Sequence, residues 1–286
     1  MRLIVPLAVF LLMVSVGMSL RHKEMLANLR RIRWPSWMGL LLATFVVPAA
    51  LALFLGRVLP LQRSEMAGLF LVGAAPGAPL MTRNIGKRGF DMQLAAGYQV
   101  WGGLLTPIML PIEVGLAGLL YNAHIWIRPR DVLLQIAEKQ FVPLLLGMVM
   151  ARFLPAFSAK AQPWMNRIGN AVLTLGIIAM LWITRETLKG LLTWWLPLGA
   201  LLLALGSVAA IRVLVPGADL LARRTLSICN ANRHVGLALL LSGQYLHMKG
   251  ALPAVAAYAL IAPFVIGGIV WVFRKRENVA SLPEPA

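Results

Sequence analysis

Hydrophobic residues along this 286-residue chain fall into long, nearly unbroken blocks. A membrane-crossing helix needs about 20 mostly apolar residues, because each helical residue rises about 1.5 Å across a hydrocarbon core of roughly 30 Å. Six blocks fit cleanly: Leu3–Leu20, Trp37–Gly56, Val132–Phe153, Ile168–Thr184, Leu191–Leu214 and Leu252–Phe273. A seventh, Met92–Tyr121, contains Pro107 and Pro111 and reads as one kinked span. Two further blocks are interrupted. Met66–Lys87 is broken by Ala74-Ala75-Pro76-Gly77-Ala78-Pro79, and Leu220–Leu246 by Cys229-Asn230-Ala231-Asn232-Arg233-His234. Counting both as broken spans predicts an all-α polytopic membrane protein with nine transmembrane helices.

Composition changes the picture only by excluding alternatives. The chain is 59% hydrophobic and 13% charged, with a mean hydropathy of +0.78. A soluble domain carries about 25% charged residues, so a water-soluble fold of this length would lack polar surface, which excludes an ordinary cytoplasmic enzyme. The net charge of +17 would suggest nucleic acid in a soluble protein. Here all but a few basic residues sit in short polar stretches between apolar blocks, so the expected partner is a lipid bilayer and not nucleic acid. An odd number of spans puts the termini on opposite sides. With the N-terminus outside, the inner loops hold about twice as many Lys and Arg as the outer ones, and the positive-inside rule then makes the C-terminus cytoplasmic. The first block also admits a signal-peptide reading, which its trailing basic cluster disfavours. The chain reads as one transmembrane domain ending in a short cytoplasmic tail, 276–286. Its single cysteine, Cys229, excludes an internal disulfide.

The two interrupted spans carry the chemistry. Backbone polar groups at membrane depth must be paired, so Pro and polar runs survive there only inside protein or beside a water-filled cavity. Pro76 and Pro79 remove donors, Gly77 frees the backbone between them, and Thr82, Arg83 and Asn84 follow on the next helical half. An ordinary proline kink is the plain alternative for this segment. At the second break, Asn230, Asn232, Arg233 and His234 crowd one turn. An arginine at a helix centre costs about 2.5–3.5 kcal/mol, so Arg233 is expected to face a cavity or a partner. A loop, or an Arg–carbonyl bond of purely structural value, is the competing reading. His234, beside it, titrates in the physiological range when unperturbed. Two discontinuous helices in corresponding halves point to a secondary transporter, with half-helix N-termini presenting free N–H groups to an anion. Arg83 and Arg233 reinforce that sign. The halves form an inverted repeat, with four spans in 1–129 and five in 130–275.

At this point the chain resembles a known family. Val72-Gly73-Ala74-Ala75-Pro76-Gly77, Leu105-Thr106-Pro107, and Thr225-Leu226-Ser227-Ile228 followed by Val235-Gly236-Leu237-Ala238 look like the bile acid:sodium symporter family. So does Gly17-Met18-Ser19-Leu20 at the end of the first span. The resemblance implies a panel domain, a core domain with two broken crossing helices, alternating access for organic anions, and a place in the plasma membrane (the inner membrane of a bacterium). Nine spans with the N-terminus outside match members that lack the first of ten helices. The family's sodium-binding Ser and Asn fall here on Met81 and Thr82, its Glu on Cys229, its Gln-Asn pair on Arg233 and His234, and its hydroxyl ligands near Ala95 and Gln99. Sodium wants oxygen ligands, and a fixed guanidinium repels it. The resemblance therefore implies that sodium coupling is lost, leaving proton coupling through the residues at ion-coupling positions, His234 and Cys229, or none.

The leading expectation is a carrier that holds a small organic anion at Thr82, Arg83, Asn84, Gln99, Asn230, Asn232 and Arg233. An arsenite-type efflux carrier, with Cys229 as a thiolate ligand, and a receptor on the same fold are the alternatives. No enzyme motif occurs, no cofactor is expected, and no Cys/His spacing supports a metal site. Glu113 reads either as a proton-carrying carboxylate or as a residue near the outer end of its helix. Glu138 and Lys139 are expected to reach the interface. Asp91 is expected to balance Lys87 and Arg88, and tryptophans flank the spans as an interfacial belt.

Overall fold

The structure, a computed structural model, describes residues 4–21, 34–78, 80–120, 127–191, 194–242 and 251–280. Every regular element among them is helical. Helix α1 (Ile4–Ser19) is followed by α2 (34–58), whose α-helical parts, Trp34–Leu41 and Val47–Val58, flank a π turn at Leu42–Val46. Next come α3 (Arg63–Ala74), α4 (Met81–Lys87) and α5 (Met92–Leu120). Helix α6 (129–153) contains a second π turn at Ala137–Phe141. It is followed by α7 (Pro155–Leu191), α8 (Trp195–Leu214), α9 (Leu220–Ala231), α10 (Val235–Leu241) and α11 (Ala251–Ala280).

Polar residues mark where several helices begin. Gln62 and Glu65 form a reciprocal capping box on α3, satisfying two of the free N–H groups of its first turn. Asp91 Oδ1 accepts from Gln93 N at 3.0 Å and Leu94 N at 2.9 Å, so this residue caps α5 rather than merely balancing nearby charge. Asp219 does the same for α9 through Ala222 N at 2.8 Å. Helix α5 runs uninterrupted through Pro107 and Pro111. Helix α7 begins at Pro155, well before the apolar block at Ile168, and α11 carries helix through residues 276–280 of the expected tail. Pro79, the basic stretch 22–33 and the last residues of the tail, 281–286, lie outside the described residues.

Five helices are each long and apolar enough to cross a membrane: Ser36–Val58, Met92–Leu120, Pro129–Phe153, Trp195–Leu214 and Ala251–Lys275. On α5, Leu104, Ile108, Ile112 and Leu116 expose one stripe at four-residue spacing, as a lipid-facing helix does. The chain is thus a multi-pass membrane protein. Helices α1, α6 and α7 pack together. Gly17 of α1 and Gly147 of α6 stand backbone to backbone, so a Cβ on either would collide with Leu144 O or Val14 O. A second body, α2 to α5 with α8 to α11, holds two apolar cores, the first of which also takes in Val132 and Ile136 of α6. One is built around Leu69, Leu203 and Tyr258, the other around Met81, Ile228 and Ile266. Met13, Val16 and Leu20 of α1 meet Ala96 of α5 where the two bodies touch.

Candidate functional site

Both interrupted spans are broken in the structure, and the breaks bond to each other. Between α3 and α4 the chain leaves the helix at Ala75 and re-enters at Met81. Gly77 there adopts φ +78°, in the left-handed region where a Cβ is strained. Between α9 and α10 the break is confined to Asn232–His234, so Cys229 and Asn230 belong to the last turn of α9 and not to the break. Ala78 N donates to Asn232 O at 3.3 Å, and His234 N donates to Ala75 O at 2.8 Å. Each break thereby pairs a backbone group that the other would leave exposed at membrane depth.

The second break is held by polar groups that point away from the first. Asn230 Nδ2 donates to Ala43 O at 2.8 Å and Ser207 O at 2.7 Å, while its Oδ1 accepts from Tyr98 OH at 2.9 Å and Arg233 Nη2 at 3.0 Å. All four hydrogen-bonding positions of that carboxamide are filled. Arg233 is 2% exposed, and its Nη1 donates to Thr44 O at 2.7 Å. Ala43 and Thr44 lie in the π turn of α2, where the widened turn offers main-chain carbonyls to side chains from outside the helix. Tyr98 OH also stands 3.2 Å from Thr44 Oγ1, and Tyr258 OH donates to Ala231 O at 2.7 Å. Asn232 Nδ2 bonds back to Ile228 O at 2.9 Å. His234 Nδ1 accepts from Leu237 N at 3.0 Å and so caps α10, which removes that N–H from the donors expected to greet an anion.

The first break faces another way. Thr82 Oγ1 donates to Gln99 Oε1 at 2.8 Å, and Gln99 Nε2 lies 3.5 Å from Gln140 Oε1 in the π turn of α6. Arg83 reaches α7, with Nε on Asn166 Oδ1 and Nη1 on Asn170 Oδ1, each at 2.7 Å. Arg83 and Arg233 therefore do not converge: one guanidinium is bound to α7, the other to α2. A cavity of about 260 Å³ opens at Arg83, lined also by Ser15, Ser19, Lys87, Gln162 and Asn166. Ser15 Oγ donates to Gln162 O at 3.3 Å, and Gln162 Nε2 donates to Ser19 Oγ, so the α1 wall is tied to α7.

The remaining candidates sit apart. Asn84 is exposed, and Cys229 is fully buried in an apolar core. Glu113 has both carboxylate oxygens buried without a hydrogen-bond partner. Glu138 and Lys139 are exposed, with Gln140 between them and α5. Among the described residues no group of three His, Cys, Asp or Glu side chains is placed to hold a metal ion.

Sequence reasoning missed Thr44, Tyr98, Gln140, Asn166, Asn170 and Tyr258. Tyr98 beside Gln99 was the one visible signal, a polar pair inside an apolar block. Asn166 and Asn170 share a helical face at four-residue spacing, but nothing local ties them to Arg83. No curated protein matches this chain. A family model described as Sodium Bile acid symporter family matches residues 6–191.

Proposed function

This chain belongs to the sodium bile acid symporter family, and we propose that it is a secondary carrier of a small organic anion that works by alternating access. Its family makes it a transporter in a lipid bilayer, acting on a small molecule. The single observation that supports the carrier reading most is the pair of backbone hydrogen bonds between the two helix breaks, Ala78 to Asn232 and His234 to Ala75. Discontinuous helices crossing inside the bundle mark the core of a secondary transporter, and the half-helix α4 beyond the first break carries Arg83 to the cavity.

In this reading α1, α7 and the pairs α3–α4 and α9–α10 join the five long helices as nine spans, an inverted repeat divided near residue 129. The N-terminus lies outside and the C-terminus in the cytoplasm of a cell's inner membrane. Helices α1, α6 and α7 form the panel and the rest form the core. The anion sits at Arg83, in the cavity between panel and core, with Thr82 and Gln99 behind it. Asn230, Asn232 and Arg233 hold the crossing in shape, because their hydrogen bonds run to protein groups.

Sodium coupling of the family type is lost. Arg233 supports this: its guanidinium donates to Thr44 O and Asn230 Oδ1, so a tethered cation already occupies oxygens at the crossing. Transport then runs on a proton or on the anion's own gradient. Uptake of organic anions into proteoliposomes, under imposed sodium or proton gradients and with none, tests the whole reading. Flux without sodium is expected. A strict sodium requirement would overturn the coupling claim, and no anion flux in any condition would overturn the carrier.

A further inference from the structure

Resting on the carrier reading, we propose that the cavity at Arg83 is built for a compact organic dianion, with Arg83 and Lys87 each taking one charged end. The two residues stand four apart on α4, which puts neighbouring side chains about 5–6 Å apart on one helix face. Both line the same cavity, and they lie close enough to repel one another.

The way Arg83 is held matters as much as its charge. Its two described partners, Asn166 Oδ1 and Asn170 Oδ1, are neutral amide oxygens. They fix the guanidinium plane and leave its charge uncancelled, where an Asp or Glu would have neutralised it. Among the described residues no acidic side chain lines the cavity, so two positive charges share it without a counter-charge from that wall. A monoanion leaves one of them unmatched. A dianion whose charges are separated by a short chain matches both, with the planar Arg83 fork suited to a carboxylate or phosphoryl group.

Size narrows the class further. The cavity measures about 260 Å³. It falls below the roughly 300–1,000 Å³ that encloses a drug-sized ligand. That volume suits a short dicarboxylate or a small phosphate monoester better than a four-ring sterol acid. Ser15, Ser19 and Gln162, hydrogen-bonded among themselves, keep another part of the wall polar and uncharged.

The test is a binding series on the full chain in detergent, by calorimetry, with succinate, glycerol 3-phosphate, butyrate and cholate. At least one dianion is expected to bind ten times more tightly than butyrate, and whichever dianion is stronger separates the carboxylate form from the phosphoryl form. Lys87→Met is expected to weaken the dianion about tenfold and butyrate much less, so that the dianion-to-butyrate ratio falls. Lys87 is exposed, so this variant folds even where Arg83→Gln does not. Equal affinity for succinate, glycerol 3-phosphate and butyrate, an unchanged dianion-to-butyrate ratio in Lys87→Met, or cholate binding more tightly than both dianions overturns the inference. Proteoliposome flux separates the two claims. Anion flux without a dianion preference sinks the inference alone, and dianion binding without flux of any anion sinks the carrier reading while leaving the site.

Discussion

Replacing Arg233 with Ala removes the buried guanidinium that sits where the broken helices cross. Two hydrogen bonds vanish, from Nη1 to Thr44 O at 2.7 Å and from Nη2 to Asn230 Oδ1 at 3.0 Å. Bonds from a charged donor contribute about 1.5–3 kcal/mol each. Against that stands the relief of about 2.5–3.5 kcal/mol for no longer holding an arginine at membrane depth. The balance predicts a net loss of about 1–2 kcal/mol. Asn230 Oδ1 keeps its bond from Tyr98, whereas Thr44 O is left facing a void lined by oxygens. A monovalent cation of the right size then has a seat. At ten times its dissociation constant, sodium restores about 1.4 kcal/mol. The assay is thermal unfolding in detergent at fixed ionic strength, with sodium chloride against choline chloride. Wild type is expected to be indifferent to the exchange, and Arg233→Ala to unfold earlier in choline and recover in sodium. A wild type stabilised by sodium would falsify the view that the guanidinium fills the cation position. A variant as stable as wild type refutes the weight placed on the two bonds, and one that ignores sodium refutes the vacated cation seat.

Gly77→Ala forces a Cβ into the left-handed region at φ +78° and is expected to destabilise the chain by about 1–2 kcal/mol; an unchanged unfolding midpoint refutes the assigned strain. Gln99→Leu strands the buried Thr82 hydroxyl and is expected to cost about 1–3 kcal/mol and reduce uptake, read from a thermal melt and vesicle flux. Gly147→Val drives a side chain into Val14 O and is expected to separate α1 from α6 and abolish monodisperse protein on size exclusion. Gly267→Ala, with nothing within 4 Å of the new Cβ, is expected to elute as wild type does.

The helix breaks were legible in the sequence because proline and glycine act through the chain's own backbone. Pro76 and Gly77 signal a missing donor and a positive φ wherever they stand, and the structure leaves the helix at both. The second break was only half legible. A string of polar residues shows that something other than lipid is near, but which of them stay helical depends on distant partners. Asn230 remains in α9 because Ala43 and Ser207, 187 and 23 residues away in sequence, offer carbonyls to its amide. Arg83 shows the same limit. Its position on α4 followed from the pattern, yet its direction is fixed by Asn166 and Asn170, 83 and 87 residues downstream. The π turns leave no local signature either, and that in α6 accompanies a buried Gln140 next to an exposed Lys139.

On the proposed carrier reading, the buried guanidinium of Arg233 also bears on the direction of transport. A cation drawn from solution is carried across with its cargo and then released, so it offsets the cargo's charge. A cation that is part of the chain returns with the empty carrier and offsets nothing over a full turnover. Each anion moved without a proton then makes the cycle electrogenic, by about 2.3 kcal/mol per elementary charge at 100 mV. Across a membrane that is negative inside, that term opposes uptake and drives export, and it doubles for a dianion.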